Sequence, residues 1–200
     1  MSIKLYRHQE LALNYLRMNN CFALFMEQGT GKTLTALFRV AELYKDEKIK
    51  NALVICPKPV IGSWWRDMPL VNEYHGVKLE NIVEVTNYEQ LLTKNGKKKY
   101  VDKKWDCIIL DESHYIKNRS AKRTKACLQL GLHAKYRYIL TGTPISNGQL
   151  ENIYSQFTFL YPYKNKQWIH SKIFGSWTDF TKEYCLLNQW YQPYKYINVD

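Results

Sequence analysis

No two cysteines form a C-x-x-C pair. The five present, at positions 21, 56, 107, 127 and 185, are odd in number, and several sit in apolar runs. That pattern argues against a zinc site or a disulfide framework and for a reducing compartment. No apolar run approaches the ~20 residues needed to span a bilayer. The N-terminus, with Lys4, Arg7 and Glu10, is too polar for a secretory signal. The expectation is a soluble protein with no membrane partner, cytoplasmic for a bacterial or viral source, or nuclear in a eukaryote. Acidic residues are scarce beside basic ones, 18 against 29, for a formal net charge of +11. Such an excess attracts a polyanion, nucleic acid before an anionic membrane. Neither an internal repeat nor a low-complexity linker is visible. Two hundred residues suit one large domain, or one domain with a tail, and a chain of this size buries roughly 70% of its unfolded surface without staples.

What is present is organised around residues 21–33. Cys21 to Met26 reads as a short apolar strand, the residues up to Lys32 as a glycine-bearing loop, and Thr33 to about Tyr44 as a helix. A loop at a helix N-terminus aims free N–H groups and the positive end of the helix dipole at one spot, which suits phosphate. Within Gln28-Gly29-Thr30-Gly31, the two glycines let the backbone turn tightly and approach an anion. Lys32 is placed to reach β- and γ-phosphates, and the Thr33 hydroxyl to bind Mg²⁺. One departure from G-x-x-x-x-G-K-[ST] is Met26 in the first glycine position.

The remaining chain alternates strands and helices. A helix over Tyr6 to Met18 precedes the first strand. Further strands are expected at Ala52 to Cys56, Asn81 to Val85, Cys107 to Leu110 and Tyr136 to Leu140. Helices are expected over Val60 to Met68 (ended by Pro69), near Glu89 to Thr93, over Ala121 to Leu130 and over Leu150 to Leu160. Lys94 to Lys104, with six lysines, reads as a solvated hairpin or loop. This alternation means an α/β domain with a mostly parallel sheet. In such sheets a ligand sits beyond the carboxyl ends of the strands. The glycine loop, Asp111-Glu112 and Thr141-Gly142-Thr143 each follow a strand and should meet at one edge. From residue 161 aromatics crowd the chain, among them Trp168, Phe174, Trp177, Phe180, Tyr184, Trp190, Tyr191, Tyr194 and Tyr196. A helical appendage packing those rings on the sheet domain or on a partner is the first reading, with base stacking ranked lower.

Asp111, at a strand end, suits Mg²⁺ held through water, because Mg²⁺ keeps much of its hydration shell. The adjacent Glu112 suits polarising an attacking water. Lys32, Asp111 and Glu112 are therefore the candidate catalytic residues, for phosphoryl transfer from ATP to water. A P-loop kinase would share the loop and the metal without requiring Asp-Glu-Ser-His, Thr-Gly-Thr-Pro or so much positive charge.

Gln28 to Thr33, Asp111-Glu112-Ser113-His114 and Leu140-Thr141-Gly142-Thr143-Pro144 resemble motifs I, II and III of the superfamily-two helicases. His114 to Ser120, Pro144 to Asn147 leading to Glu151, and Phe174 to Trp177 with Phe180 and Tyr184-Cys185 resemble its Swi/Snf-type branch, the double-stranded-DNA translocases. The resemblance covers nearly the whole chain. It implies a RecA-like P-loop NTPase lobe over 1–160, with 161–200 an aromatic-rich helical extension of it. It implies Gln9, with Arg7 in Tyr-Arg-His-Gln, on the adenine side of ATP, and Gln28 to Thr33 on the phosphates. Mg²⁺ falls to Thr33 and Asp111, and the catalytic base to Glu112. Pro57-Lys58 and Thr86-Asn87-Tyr88 resemble motifs Ia and Ib, implied to line a DNA track, which Lys117, Asn118 and Arg119 extend. Thr141, Gly142 and Thr143 are implied to couple nucleotide state to DNA. Ser113 stands where many relatives have Ala.

The family implies a second RecA-like lobe carrying arginine fingers, and nothing after Thr143 resembles one. Tyr196 to Asp200 resembles the start of a further element that is then cut. The expectation is the first lobe of a longer enzyme, monomeric and weakly active in isolation. Two alternatives stay open: RNA or single-strand unwinding by a neighbouring branch, and a nucleic-acid-binding module with a vestigial nucleotide site.

Overall fold

A computed structural model describes residues 3–146, 149–164, 167–168 and 176–185 of the chain. Five strands form one sheet: β1 Cys21–Phe25, β2 Ala52–Cys56, β3 Val83–Asn87, β4 Cys107–Asp111 and β5 Tyr136–Thr141. They pair in the order β1-β5-β4-β2-β3, parallel throughout. The helices are α1 Arg7–Met18, α2 Lys32–Lys45, α3 Ile61–His75, a single turn α4 Lys94–Gly96, α5 Lys122–Gly131, α6 Glu151–Leu160 and α7 Trp177–Tyr184. A short antiparallel pair, β6 Tyr163–Lys164 and β7 Gln167–Trp168, follows α6. Among the described residues no helix is long and apolar enough to cross a membrane.

The continuous apolar runs become strands because both sheet faces are covered. Side chains alternate by two: Ala52, Val54 and Cys56 join the core under α1, α2 and α3, whereas Leu53 and Ile55 join the core under α5 and α6. The same alternation splits Ile109 from Ile108 and Leu110 on β4. α7 starts at a capping box, Ser176 with Asp179. It packs Trp177 and Phe180 against Tyr154 of α6, with ring centroids 5.1 and 5.2 Å apart. That is the expected aromatic appendage for Trp177, Phe180 and Tyr184. Asn147, Phe174, Gly175, Trp190, Tyr191, Tyr194 and Tyr196 to Asp200 lie outside the described residues.

Three expectations are corrected. α3 does not stop before Pro69 but runs on to His75. Proline removes one helical donor, whose acceptor would be the Trp65 carbonyl. Trp65 is 41% exposed, so water is at hand, while Trp64, Met68 and Val71 hold the helix to the core. The third strand begins two residues later than expected. Leu79–Asn81 forms a turn, and the Ile82 carbonyl accepts from Ala52 N. Residues 94–104 are no hairpin: α4 leads into a wide helical turn, Lys97–Val101, that buries Val101. Lys99 and Lys103 reach Glu84 at 3.2 and 2.9 Å.

Candidate functional site

The adjacency β1-β5-β4 sets the loops after these three strands side by side at the carboxyl edge. After β1, Gly29 and Gly31 take φ of 77° and 78°, which a side chain resists. Met26 needs no glycine, because among the described residues the non-glycine positions at positive φ are Glu47 and Glu112. Lys32 opens α2 and curls back, donating Nζ–H to the Met26 and Glu27 carbonyls at 2.8 Å each. It is 8% exposed. Thr33 sits in the first turn, whose N–H groups have no acceptor within the helix. Gln9, buried on α1, donates to the Thr30 carbonyl at 3.2 Å and accepts from Tyr6 N at 2.9 Å. A Cβ on Gly31 would lie 2.1 Å from Gln9 Nε2, so the absence of one lets α1 close on the loop. Arg7 and Gln28 are exposed beside this loop and this helix.

Asp111, the last residue of β4, is 4% exposed. Its Oδ2 accepts from Trp64 Nε1 and its Oδ1 from Glu112 N, both at 2.9 Å. Burial pushes its carboxyl above the usual carboxylate range; the Trp64 hydrogen bond opposes this, the Glu112 charge adds to it, and the Lys32 ammonium opposes it. Glu112 adopts φ 50°, ψ 53°, a left-handed conformation that costs a non-glycine residue about 1–2 kcal/mol. Glu112 Oε2 accepts from Thr141 Oγ1 and lies the same 3.3 Å from His114 Nδ1. Thr141 Oγ1 also accepts from Thr143 N and sits 3.1 Å from His114 Nδ1. Burial lowers the His114 pKa, with Glu112 acting against it. A Cβ on Gly142 would stand 3.5 Å from Gln28 N and the Met26 carbonyl, so the loop after β5 lies against the glycine loop. Lys32, Asp111, Glu112 and Thr141 therefore share one rim, although 109 positions separate the first from the last.

The loops after β2, β3 and β4 line a second feature, a cleft of about 430 Å³ with Pro57, Lys58, Asn87, Gln90 and Tyr115 on its walls. Lys58 is exposed there; Pro57, Thr86 and Asn87 are buried, and Asn87 Oδ1 caps Gln90 N at 2.9 Å. Tyr88 is fully buried and donates its hydroxyl to the Asp111 carbonyl at 2.8 Å. Its side chain has no surface to offer a phosphate and acts as a strut. Lys117, Asn118 and Arg119 are exposed, and the Arg119 guanidinium lies 4.7 Å over the Trp177 ring.

Sequence reasoning missed Trp64 and Gln156, and gave no role of their own to His114 and Tyr115, which it read only as parts of motifs. Gln156 accepts from Ser113 Oγ at 2.6 Å and donates to the Pro144 carbonyl at 2.8 Å, tying α6 to two of the motifs. Ser113 thus has a partner that an alanine would lack. A usable signal for Trp64 was its indole N–H, since a buried tryptophan needs an acceptor.

The donor set fits a phosphate-bound Mg²⁺. Among the described residues no cluster of three or more His, Cys, Asp or Glu could hold a metal by itself. Mg²⁺ bound through one or two protein ligands, water and substrate phosphates needs no such cluster. The two hydrogen bonds accepted by Asp111 leave acceptor sites on a carboxylate that has about four.

Comparison with known proteins agrees with this fold. The chain is 30% identical to Protein CHROMATIN REMODELING 24 of Arabidopsis thaliana over 190 residues, covering 79% of this chain and 17% of that protein. It is 31% identical over 194 residues to TATA-binding protein-associated factor mot1 of Schizosaccharomyces pombe, covering 81% and 10%. It therefore spans less than a fifth of either relative. Its structure is similar to the Sulfolobus solfataricus SWI2/SNF2 ATPase core in complex with dsDNA, with a TM-score of 0.73 and 27% identity over 91% of this chain and 39% of that one. The SWI2/SNF2 ATPase core domain of the same organism gives a TM-score of 0.67 at 26% identity, over 90% and 38%. The model of the SNF2-related domain matches residues 67–194, more than half of the sequence, and the chain belongs to that family.

Proposed function

We propose that this chain is the first, nucleotide-binding lobe of an enzyme that uses ATP and Mg²⁺ to move on double-stranded DNA, with the lobe over 1–160 and its helical extension over 161–200. The observation that carries the reading is the meeting of Lys32, Asp111, Glu112 and Thr141 at the rim beside the Lys58 cleft. Gln9 and Arg7 face the adenine side. The N–H groups of Gln28 to Thr33 and the Lys32 ammonium hold phosphate oxygens, exchanging the Met26 and Glu27 carbonyls for them. Thr33 and Asp111 hold the metal side, Asp111 through water. When bound, Mg²⁺ supplies charge neutralisation on the phosphates. Glu112, held by its Thr141 and His114 contacts, orients and deprotonates the attacking water. Thr141 to Thr143 sense that step through the Glu112 and His114 contacts. Lys58 and Lys117 to Arg119 meet duplex phosphates, as does Thr86-Asn87-Tyr88 through its main chain.

The dsDNA in the complex of the similar Sulfolobus solfataricus core supports duplex over RNA. A second lobe supplies arginine fingers, worth about 10³–10⁵ in rate in related NTPases, so the lobe alone, a monomer, turns over poorly. The test is a binding titration of Mg-ATP and of duplex DNA, single-stranded DNA and RNA. Micromolar Mg-ATP binding with a duplex preference is expected. No Mg-ATP binding overturns the reading, and an RNA or single-strand preference replaces duplex translocation with unwinding.

A further inference from the structure

Asp111 stands where the two halves of the rim meet, and three groups reach it or its supports from the cleft side. Trp64, fully buried on α3, donates to its carboxylate at 2.9 Å. The turn that leads into α3 begins at Lys58, on the cleft wall. Tyr88 donates its hydroxyl to the main-chain carbonyl of Asp111 at 2.8 Å. Pairing of β2 with β4 ends at Ile55↔Leu110, one residue short, so this hydroxyl takes the place of a further strand neighbour. The Tyr88 ring stacks on Tyr115 at 5.2 Å and 15°. Tyr115 is 36% exposed and forms part of the cleft wall. Arg123 lies 5.7 Å over its ring and 3.7 Å from Glu89.

We propose that Trp64 and Tyr88 are positioning residues that tie the Asp111 carboxylate to the cleft, so that a duplex backbone seated against Tyr115 and Lys58 resets the metal side of the nucleotide site. This rests on the function proposed above. One carboxylate oxygen is held from the cleft side by Trp64 and the other from its own loop by Glu112 N, so a shift of α3 relative to β4 rotates the carboxylate. A close-packed interior passes such a displacement on rather than absorbing it. Tyr115 is the exposed end of the second route: pressure on its ring acts on Tyr88, whose hydroxyl sits on the Asp111 carbonyl. Coupling of this kind is reciprocal, so nucleotide changes DNA affinity by the factor with which DNA changes nucleotide affinity.

The experiment measures the affinity of the chain for a fluorescent non-hydrolysable ATP analogue, with Mg²⁺ titrated, without and with a saturating duplex oligonucleotide. The ratio of the two affinities is the coupling factor. In the unaltered chain it is expected at about 5-fold or more. Tyr88→Phe keeps the ring stack but loses the hydroxyl; its ratio falls to within about twofold of one, by the same coupling logic, and more Mg²⁺ is needed for half-maximal binding. Trp64→Phe behaves alike. Tyr115→Phe keeps the coupling and Tyr115→Leu loses it, which decides the matter if Tyr88→Phe fails to fold. A merely structural role would lower the melting temperature and both affinities while leaving the ratio and the Mg²⁺ requirement alone. A ratio of one in the unaltered chain, or one unmoved by Tyr88→Phe and Tyr115→Leu, overturns the inference alone. Absence of any Mg-nucleotide binding overturns the function and this inference together.

Discussion

The two halves of the sheet rim are built from the same kind of parallel strand end but solve different problems. Around β1, β5 and β4 the loops carry glycines or a left-handed Glu112, and the charged groups Lys32 and Asp111 are buried and hydrogen-bonded in place. Around β4, β2 and β3 the strand-end side chains are capped inward, and an exposed Lys58 edges an open cleft. The first half is preorganised for a small, highly charged ligand, where placing each donor in advance removes ordering cost. The second half offers charge without fixed geometry, which suits a polymer whose phosphates recur and carry no sequence information.

Lys32→Ala should separate the halves most sharply. Hydrogen bonds to charged groups are worth about 1.5–3 kcal/mol each, so losing the lysine proposed to hold two phosphate oxygens should weaken Mg-ATP about 100-fold or more by calorimetry. Duplex DNA affinity, read by anisotropy, should stay within about twofold, by independence of distant sites. Loss of both affinities in a folded variant would erase the distinction.

A smaller, graded effect concerns the glycine loop. Gly29→Ala has open space around the new Cβ and meets only the cost of its positive φ, about 1–2 kcal/mol. Gly31→Ala has the same φ cost and must also displace Gln9. Gly31→Ala should therefore lose more melting temperature and more nucleotide affinity than Gly29→Ala. Equal effects would mean that α1 does not brace the loop.

On the cleft side, Lys58→Ala should lower duplex affinity by only a few-fold at moderate salt. It should reduce the logarithmic salt slope by about 0.9, the share of one phosphate contact. A salt slope that is unchanged while affinity falls would make Lys58 a packing residue.

The smallest expected effect is a pH dependence within the first half. Burial holds the His114 pKa below its ordinary value, so as pH falls below about 6.5 the unfolded chain takes up this proton before the folded one. The stability contribution is complete above that pH and is lost as pH falls through the folded pKa. His114→Gln should flatten the fall in melting temperature between pH 7 and 5.5, a window chosen from that reference value. An equally steep fall would assign the effect to other groups.

Most of the first half was legible in the residues because its signals are local. A strand, two glycines, a lysine and a helix start occupy one short stretch, and Asp111-Glu112 follows an apolar run directly. The order of apolar runs also gave the α/β class and all five strands. The β3 boundary was misjudged because an apolar run does not state its register; the backbone bond between Ala52 and Ile82 does. Pro69 was read as a stop because local propensity says so, and packing of Trp64, Met68 and Val71 overrode it. Tyr88 was read as a surface contact because its neighbours in Thr86-Asn87-Tyr88 fitted a track motif, yet it is buried under Asp111.

Alternation of apolar runs with helical stretches, and the identity of each strand-end loop, were set by the sequence alone, since both depend on contacts within a few residues. Which loops become neighbours was decided only in three dimensions. The order β1-β5-β4-β2-β3 puts β5 between β1 and β4, and it brings Trp64 and Tyr88 from separate segments onto one carboxylate. Hydrogen bonds across 47 and 23 positions leave no periodic trace, because the strand pairing that creates them satisfies the same apolar pattern in many orders.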